Sequence, residues 1–456
     1  MVVMLSDKFR RQLRQEAEQW RTEGLIDASV YEQLSDRYQF NDLEASARNR
    51  FVVILLGLGS ILLGLAIITF VAANWQAWSR ELKVTLLLSG FVGVNITGFY
   101  LWRRPTQRWQ RRLGQGLLLL GALLLGANMA LMSQLFHQSG LLYQLFFIWG
   151  LGVLVMAYSL RLTLLGILAI LLIGLGYLQG QPEFVAIGEF SWLRLMVQHM
   201  PVVAALMFIP LAYWCRSRWI FRCGAIAVVY SLEANLIRVN MLASPAWMAA
   251  IACSLPPALL WAYRDSLWGR YAPSVELFSS VARSLAVTFL SLLFFLLSFR
   301  GLWDTSSVES AKDTSLLVWS LGVDILILGS LTIWEWLRLL RRIDLNTSLI
   351  ASMIAISALV PYWHLSISKL PIMAVLIFNL LLFLLAVGLI REGLAQSQRR
   401  FFWGGMVLLT LQIFSRMLEY NTDLLFKSLV LFLCGLGVIA AGLRFERYVS
   451  RTRRQQ

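Results

Sequence analysis

Asp324 lies inside an apolar segment, Ser315 to Trp336, about nine residues from its start and so near the middle of any span it forms. An unpaired carboxylate at that depth costs several kcal/mol or takes up a proton, which makes it a candidate for proton, ion or substrate handling. Glu335 follows after about three helical turns and returns to the same stripe, and Ser320 precedes Asp324 by one turn. Two acids on one helix face could line a polar path. Equally, Asp324 could be protonated or ion-paired to fix helix packing, with Glu335 interfacial between Trp334 and Trp336.

A second polar run, Ser231 to Asn240, interrupts another apolar segment. Glu233 and Asn240 share a helix face, and Arg238 could neutralise Glu233, either as a structural ion pair or as the wall of an outward cavity. Gln134 and His137, at the end of the third apolar segment, read as hydrogen-bonding groups that could form an outward mouth. His137, His199 and His364 fall on one predicted side, but no two stand three or four residues apart and no carboxylate completes a ligand set, so no metal and no cofactor are expected. Pro256-Pro257 should break or kink its helix and free backbone carbonyls. The four cysteines form no C-x-x-C pair, and neither a disulfide nor a zinc site is expected. No phosphate-binding glycine loop, H-E-x-x-H or G-x-S-x-G occurs, and no nucleophile stands with a base, so the reading leans away from an enzyme.

These side chains must be held by membrane helices. Of 456 residues, 58% are hydrophobic and 14% charged, with mean hydropathy +0.68, a composition that excludes soluble and disordered chains. Fourteen candidate spans recur: Phe51–Ala73, Val84–Trp102, Gly116–Met132, Leu141–Tyr158, Leu162–Leu178, Met200–Trp214, Trp219–Ile237, Ala246–Tyr263, Val281–Ser298, Ser315–Trp336, Thr347–Tyr362, Ile372–Ile390, Phe401–Met417 and Leu424–Leu443. The sixth is short and contains Pro210. With the N-terminus inside, 23 Lys and Arg beyond residue 50 fall on cytoplasmic connections and the tail, against nine on the other side, so both termini are expected in the cytoplasm. The net charge of +15 then reflects topology, and no nucleic-acid partner is implied.

Residues 1–50 read as a polar helical hairpin. Phe9, Leu13, Ala17 and Trp20 form one stripe, Gly24 breaks the helix, and Asp27 caps a second helix presenting Val30, Leu34 and Tyr38 over Leu25 and Ile26. The chain thus divides into a hairpin at 1–50, an all-α bundle of about 14 transmembrane helices at 51–443 and a basic tail at 444–456.

The segment Trp20-Arg-Thr-Glu-Gly-Leu-Ile26, the short helix ending at Tyr38, and the span closing on Phe70-Val-Ala-Ala-Asn-Trp75 resemble bacterial predicted membrane proteins grouped by the domain of unknown function numbered 2157. Gly126-Ala-Asn-Met-Ala-Leu-Met-Ser-Gln-Leu-Phe-His-Gln-Ser-Gly140, followed by Trp149, is similar to the family's third span and its turn, and the resemblance covers about residues 5–175. It implies a polytopic protein of the bacterial inner membrane and no mechanism. Transport or translocation of a small or lipid-linked substrate is the leading expectation. The alternative is a membrane scaffold or assembly subunit that docks a protein partner through residues 1–50.

Overall fold

The computed structural model describes residues 7–38, 77–137, 140–181, 191–243, 246–265, 278–303, 315–342, 344–396, 398–419 and 423–455, together with 62, 69 and 73. Among the described residues there are sixteen α-helices and no strands. A chain facing hydrocarbon must satisfy its N–H and C=O groups within each segment, and the helix does so. The protein is an all-α, multi-pass membrane protein. Its contacts divide it after Ser89 into two compact units.

In the first unit, α1 (Asp7–Thr22) and α2 (Ala28–Tyr38) form the expected hairpin. Ala17 is fully buried at its centre, packed by Leu13, Trp20, Ile26, Tyr31, Leu34 and Tyr38. Tyr31, not Val30, completes the inner stripe of α2, and Leu25 and Val30 are exposed. On the helical wheel Tyr31 lies about 20° from Tyr38 and about 60° from Leu34, inside their face, whereas Val30 lies about 40° from Leu34 but about 80° from Tyr38, at that face's edge. The Arg14 guanidinium, with help from the Tyr31 hydroxyl, holds the Glu18 carboxyl below its ordinary range.

The turn is built around Gly24, whose φ of +74° lies in the left-handed region. Leu25 N–H donates to the Trp20 carbonyl (2.8 Å) and Gly24 N–H to the Arg21 carbonyl (3.2 Å), the Schellman closure of a helix C-terminus. A Cβ at Gly24 would meet nothing within 4 Å. Gly24→Ala therefore incurs only the backbone cost of a left-handed L-residue. It should destabilise the hairpin by about 1 kcal/mol, read as faster amide exchange in α1 and α2 of the full-length protein. Unchanged exchange would show that the turn is not under this constraint.

Thirteen of the fourteen candidate spans coincide with helices: α3 (Arg80–Arg103), α4 (Arg108–Leu135), α5 (Leu142–Leu160), α6 (Thr163–Gly180), α8 (Met200–Cys215), α9 (Arg218–Ala243), α10 (Ala246–Ala262), α11 (Ser279–Leu297), α12 (Ser315–Leu339), α13 (Leu345–Ser366), α14 (Pro371–Ala395), α15 (Arg399–Glu419) and α16 (Leu424–Gln455). The first candidate, Phe51–Ala73, and the Asn74-Trp75 motif lie outside the described residues. Among the described residues, eleven helices are long and apolar enough to cross a membrane alone. The sixth candidate coincides with α8, but the structure adds a limb before it that the candidate span does not include. α8 is the second limb of a broken element whose first limb, α7 (Trp192–Gln198), meets it at 89°. Pro201, in the first turn of α8, needs no intrahelical N–H partner and favours a helix start there.

In the second unit, α5 packs on α6, α8 on α9, α10 on α13 and α14 on α15. The larger core draws on α4 to α12 and includes Phe147, Tyr177, Phe208 and Phe221; a smaller one joins α11, α13 and α14 through Phe294, Trp303 and Phe378. Lipid tails are as apolar as leucine, so close van der Waals packing rather than water exclusion must hold such helices together. Small residues permit it. A Cβ on Gly114 would lie 2.5 Å from Trp102 N and 2.8 Å from Gly98 O, so only glycine allows the α3–α4 crossing there. Trp149, in the middle of α5, donates its indole N–H to Ala122 O of α4 (2.7 Å).

α10 stays helical across Pro256-Pro257, so of the expected break or kink the break does not occur. Pro257 has no N–H for the Cys253 carbonyl. The Ser357 hydroxyl of α13 approaches that oxygen (3.2 Å), sharing its one proton between it and the Ile354 carbonyl of its own helix (2.8 Å), so a neighbouring helix partly supplies the missing bond.

Candidate functional site

α12 positions both intramembrane acids on one buried stripe, as their spacing requires: Asp324 is 0% and Glu335 3% exposed. Asp324 Oδ1 lies 2.9 Å from Nδ1 of His199, and Oδ2 has no hydrogen-bond partner among the described residues. His199 is the residue at the break between α7 and α8, the N-cap position of α8, and its side chain is 24% exposed. With the proton on Nδ1 the ring donates to the carboxylate; with both nitrogens protonated the two form an ion pair. The acid is thus buried while its partner is partly exposed.

The break is held by a second set of polar side chains. Asn235 Nδ2 of α9 donates to the Gln198 carbonyl (3.0 Å), one of those that α7 leaves open where it ends. The Tyr177 hydroxyl of α6 donates to Asn235 Oδ1 (2.7 Å) and approaches Ser231 O (3.1 Å). Tyr177 is also within electrostatic range of Asp324 and Arg238. The geometry can do two things: hold a carboxylate beside an imidazole, and keep a helix interrupted at that place.

Glu233 and Arg238 do not form the expected ion pair. Arg238 donates to Gln181 Oε1 (2.7 Å), while Glu233 Oε1 has no hydrogen-bond partner among the described residues and its carboxylate lies within electrostatic range of Cys253 of α10. Five residues along a helix is a rotation of about 500°, which leaves the two side chains about 140° apart. The side chain of Asn240 lies outside the described residues.

Among the described residues Glu335 has no hydrogen bond to either oxygen, and Arg338 Nη1, one turn on, comes only to 3.9 Å of Oε1. Arg338 also lies over the Trp334 ring, 4.7 Å from its centroid. Nearby, the Tyr213 hydroxyl bonds both the Tyr263 hydroxyl (2.7 Å) and the Asp265 carboxylate. Asp265 also accepts from the backbone N–H groups of Phe278 (3.3 Å) and Ser279 (3.1 Å), and so caps α11. Tyr263 falls within electrostatic range of Glu335.

Gln134 and His137 are exposed at the end of α4, where His137 takes a left-handed φ of 53° and its N–H closes on Gln134 O (3.4 Å). Among the described residues no contact brings them to Asp324, Glu335 or Glu233. Among the described residues, no group of three His, Cys, Asp or Glu side chains gathers as a metal site.

Sequence reasoning missed His199 as the partner of Asp324, and missed Tyr177 and Asp265 altogether. One signal for His199 was present: a polar residue two places before Pro201 marks a helix start inside an apolar stretch, and an intramembrane acid requires a donor.

The model of a family of predicted membrane proteins, the domain of unknown function numbered 2157, matches residues 18–166 of the chain. No curated protein and no solved structure matches it.

Proposed function

We propose that this protein, whose N-terminal third matches a family of predicted membrane proteins, transports or translocates a small or lipid-linked substrate, with the Asp324–His199 pair as its proton- or cation-coupling group. One observation supports the reading most: a fully buried, half-satisfied carboxylate faces a partly exposed histidine at an 89° break in a membrane element. Packing alone does not require an interrupted helix at the place where the acid sits, whereas interrupted helices in carriers present their ends to ions and charged substrate groups. His199 relays protons between solvent and Asp324. The empty Oδ2 of Asp324 is the position a proton or cation takes up. Glu233 and Glu335 are further acids at the ends of the path. The excess of Lys and Arg on one set of loops supports placement in a bacterial inner membrane with both termini cytoplasmic.

The test needs no known substrate. Hydrogen exchange of α7 and α8 in the purified protein is compared between pH 5 and 8, the range in which a histidine pair changes charge. Wild type should change its exchange across that range, and Asp324→Asn should not. In liposomes loaded with a pH dye and challenged with sugars, amino acids, nucleosides and polyprenyl-linked saccharides, Asp324→Asn should abolish any proton flux that a substrate evokes. Exchange that is the same in both proteins at every pH removes the coupling role, and the N-terminal hairpin becomes the place to seek function.

A further inference from the structure

A cleft of about 600 Å³ opens where the C-terminus of α3, the N-terminus of α4 and the α5–α6 turn meet. Its lining includes Trp102, Arg111, Gln115, Ser159, Arg161 and Thr163. The volume suits a small polar group. Two guanidinium groups, an amide and two hydroxyls supply donors, and the lining contains no acid.

The charge has no local counterweight. From Leu82 to Pro182 the sequence contains no Asp or Glu, although Arg103, Arg104, Arg108, Arg111, Arg112 and Arg161 all fall in that stretch. Arg161 is held in place at some conformational expense. It sits at the C-cap of α5 with φ 53° and ψ 39°, a left-handed conformation that glycine or asparagine adopts more readily. Its guanidinium lies 4.2 Å over the Trp214 ring, and the Trp214 indole is in turn fixed to Tyr158 O (3.0 Å). The arginine is thus locked by stacking rather than neutralised by a carboxylate.

The surroundings suit a lipid. Leu164 of the lining is exposed, Phe99 on α3 is exposed with its ring 6.1 Å from that of the lining Trp102, and the apolar window of α3 is only 6% buried, a flank suited to hydrocarbon. We propose that the cleft binds the phosphate of an anionic membrane lipid headgroup, with Arg111 and Arg161 as the phosphate ligands and the acyl chains along α3 and α6. Paired arginines recognise phosphate with charge-assisted hydrogen bonds, and basic pockets between membrane helices hold such headgroups. The inference is independent of the transport reading, because it uses neither Asp324 nor His199.

The test is native mass spectrometry of the delipidated full-length protein titrated separately with phosphatidylglycerol and phosphatidylcholine, with inorganic phosphate as competitor. Arg111→Gln changes an exposed helix position, and Arg161→Asn keeps a residue that tolerates the left-handed backbone, so the doubly substituted protein should fold. Phosphatidylglycerol should be retained by wild type and bound about tenfold more weakly by the double variant, as expected for lost charge-assisted bonds. Arg103→Gln/Arg104→Gln, outside the cleft lining, should retain it like wild type. Equal retention of the two lipids, or retention unchanged in the double variant, overturns the proposal. Displacement of the lipid by millimolar inorganic phosphate overturns the lipid as occupant.

Discussion

His199→Ala lowers the unfolding free energy of the purified protein by about 3 kcal/mol, and adding Asp324→Asn restores most of that loss. The reason is the asymmetry of buried ion pairs: removing one partner leaves an uncompensated charge, which costs about 3–5 kcal/mol, whereas replacing both is often close to neutral. Asp324 is 0% exposed and His199 supplies its one described hydrogen bond, so alanine leaves both carboxylate oxygens without a donor. The loss falls at the low end of the range because the stranded acid can take up a proton. Asparagine at 324 is neutral and close to isosteric, so the double variant has no charge to strand. A double-mutant cycle read by denaturant titration in mixed micelles measures this coupling. If the two losses simply add, the pair is not an energetic unit, and the coupling role proposed for it loses its physical basis.

The second large effect concerns the adjacent glycines Gly404 and Gly405 on α15. A Cβ on Gly405 would stand 2.5 Å from Ala386 O, 2.7 Å from Ile390 Cγ1 and 3.0 Å from Ile390 N of α14. Two of those are backbone atoms, which no rotamer change can move, so α14 and α15 must separate to admit a side chain. Gly405→Val should therefore cost about 3 kcal/mol or more, at or beyond the upper end of overpacking penalties. Gly404 is exposed, and its Cβ would meet nothing within 4 Å. Gly404→Val is the internal control, expected within about 0.5 kcal/mol of wild type because surface changes away from special features are small. Thermal unfolding in detergent separates the two variants. Equal losses would mean that helix propensity at this point outweighs the α14–α15 contact.

The helices were legible because the bilayer imposes a one-dimensional rule. A span needs about 20 apolar residues, and length with hydropathy reads that off the chain without knowledge of any neighbour. Thirteen candidate spans met helices for this reason. What the rule does not record is direction: the sixth candidate met its helix, Met200–Cys215, but residues 192–198, which pass the same length and hydropathy test together with it, join it at 89°. Within a single helix, spacing also carried far. Asp324 and Glu335 share a buried stripe as their eleven-residue separation dictates, and Gly24 ends α1 in the left-handed turn it is suited to. The Glu233–Arg238 pairing went wrong where that same periodicity was not applied, because a five-residue spacing turns the two groups apart.

The sequence by itself therefore determined that this is a multi-pass helical membrane protein, where most of its helices run, and which acids lie in them. Composition and period are properties of consecutive residues, and they suffice for that. Only the tertiary structure decided who meets whom: His199 with Asp324 across 125 positions, Ser357 with the carbonyl that Pro257 strands, and Gly405 rather than Gly404 against α14. Those pairings depend on how helices are rotated and crossed, and many apolar surfaces satisfy the membrane equally well. Close packing and the few hydrogen bonds between helices select one arrangement, and neither is written in the order of residues along a single span.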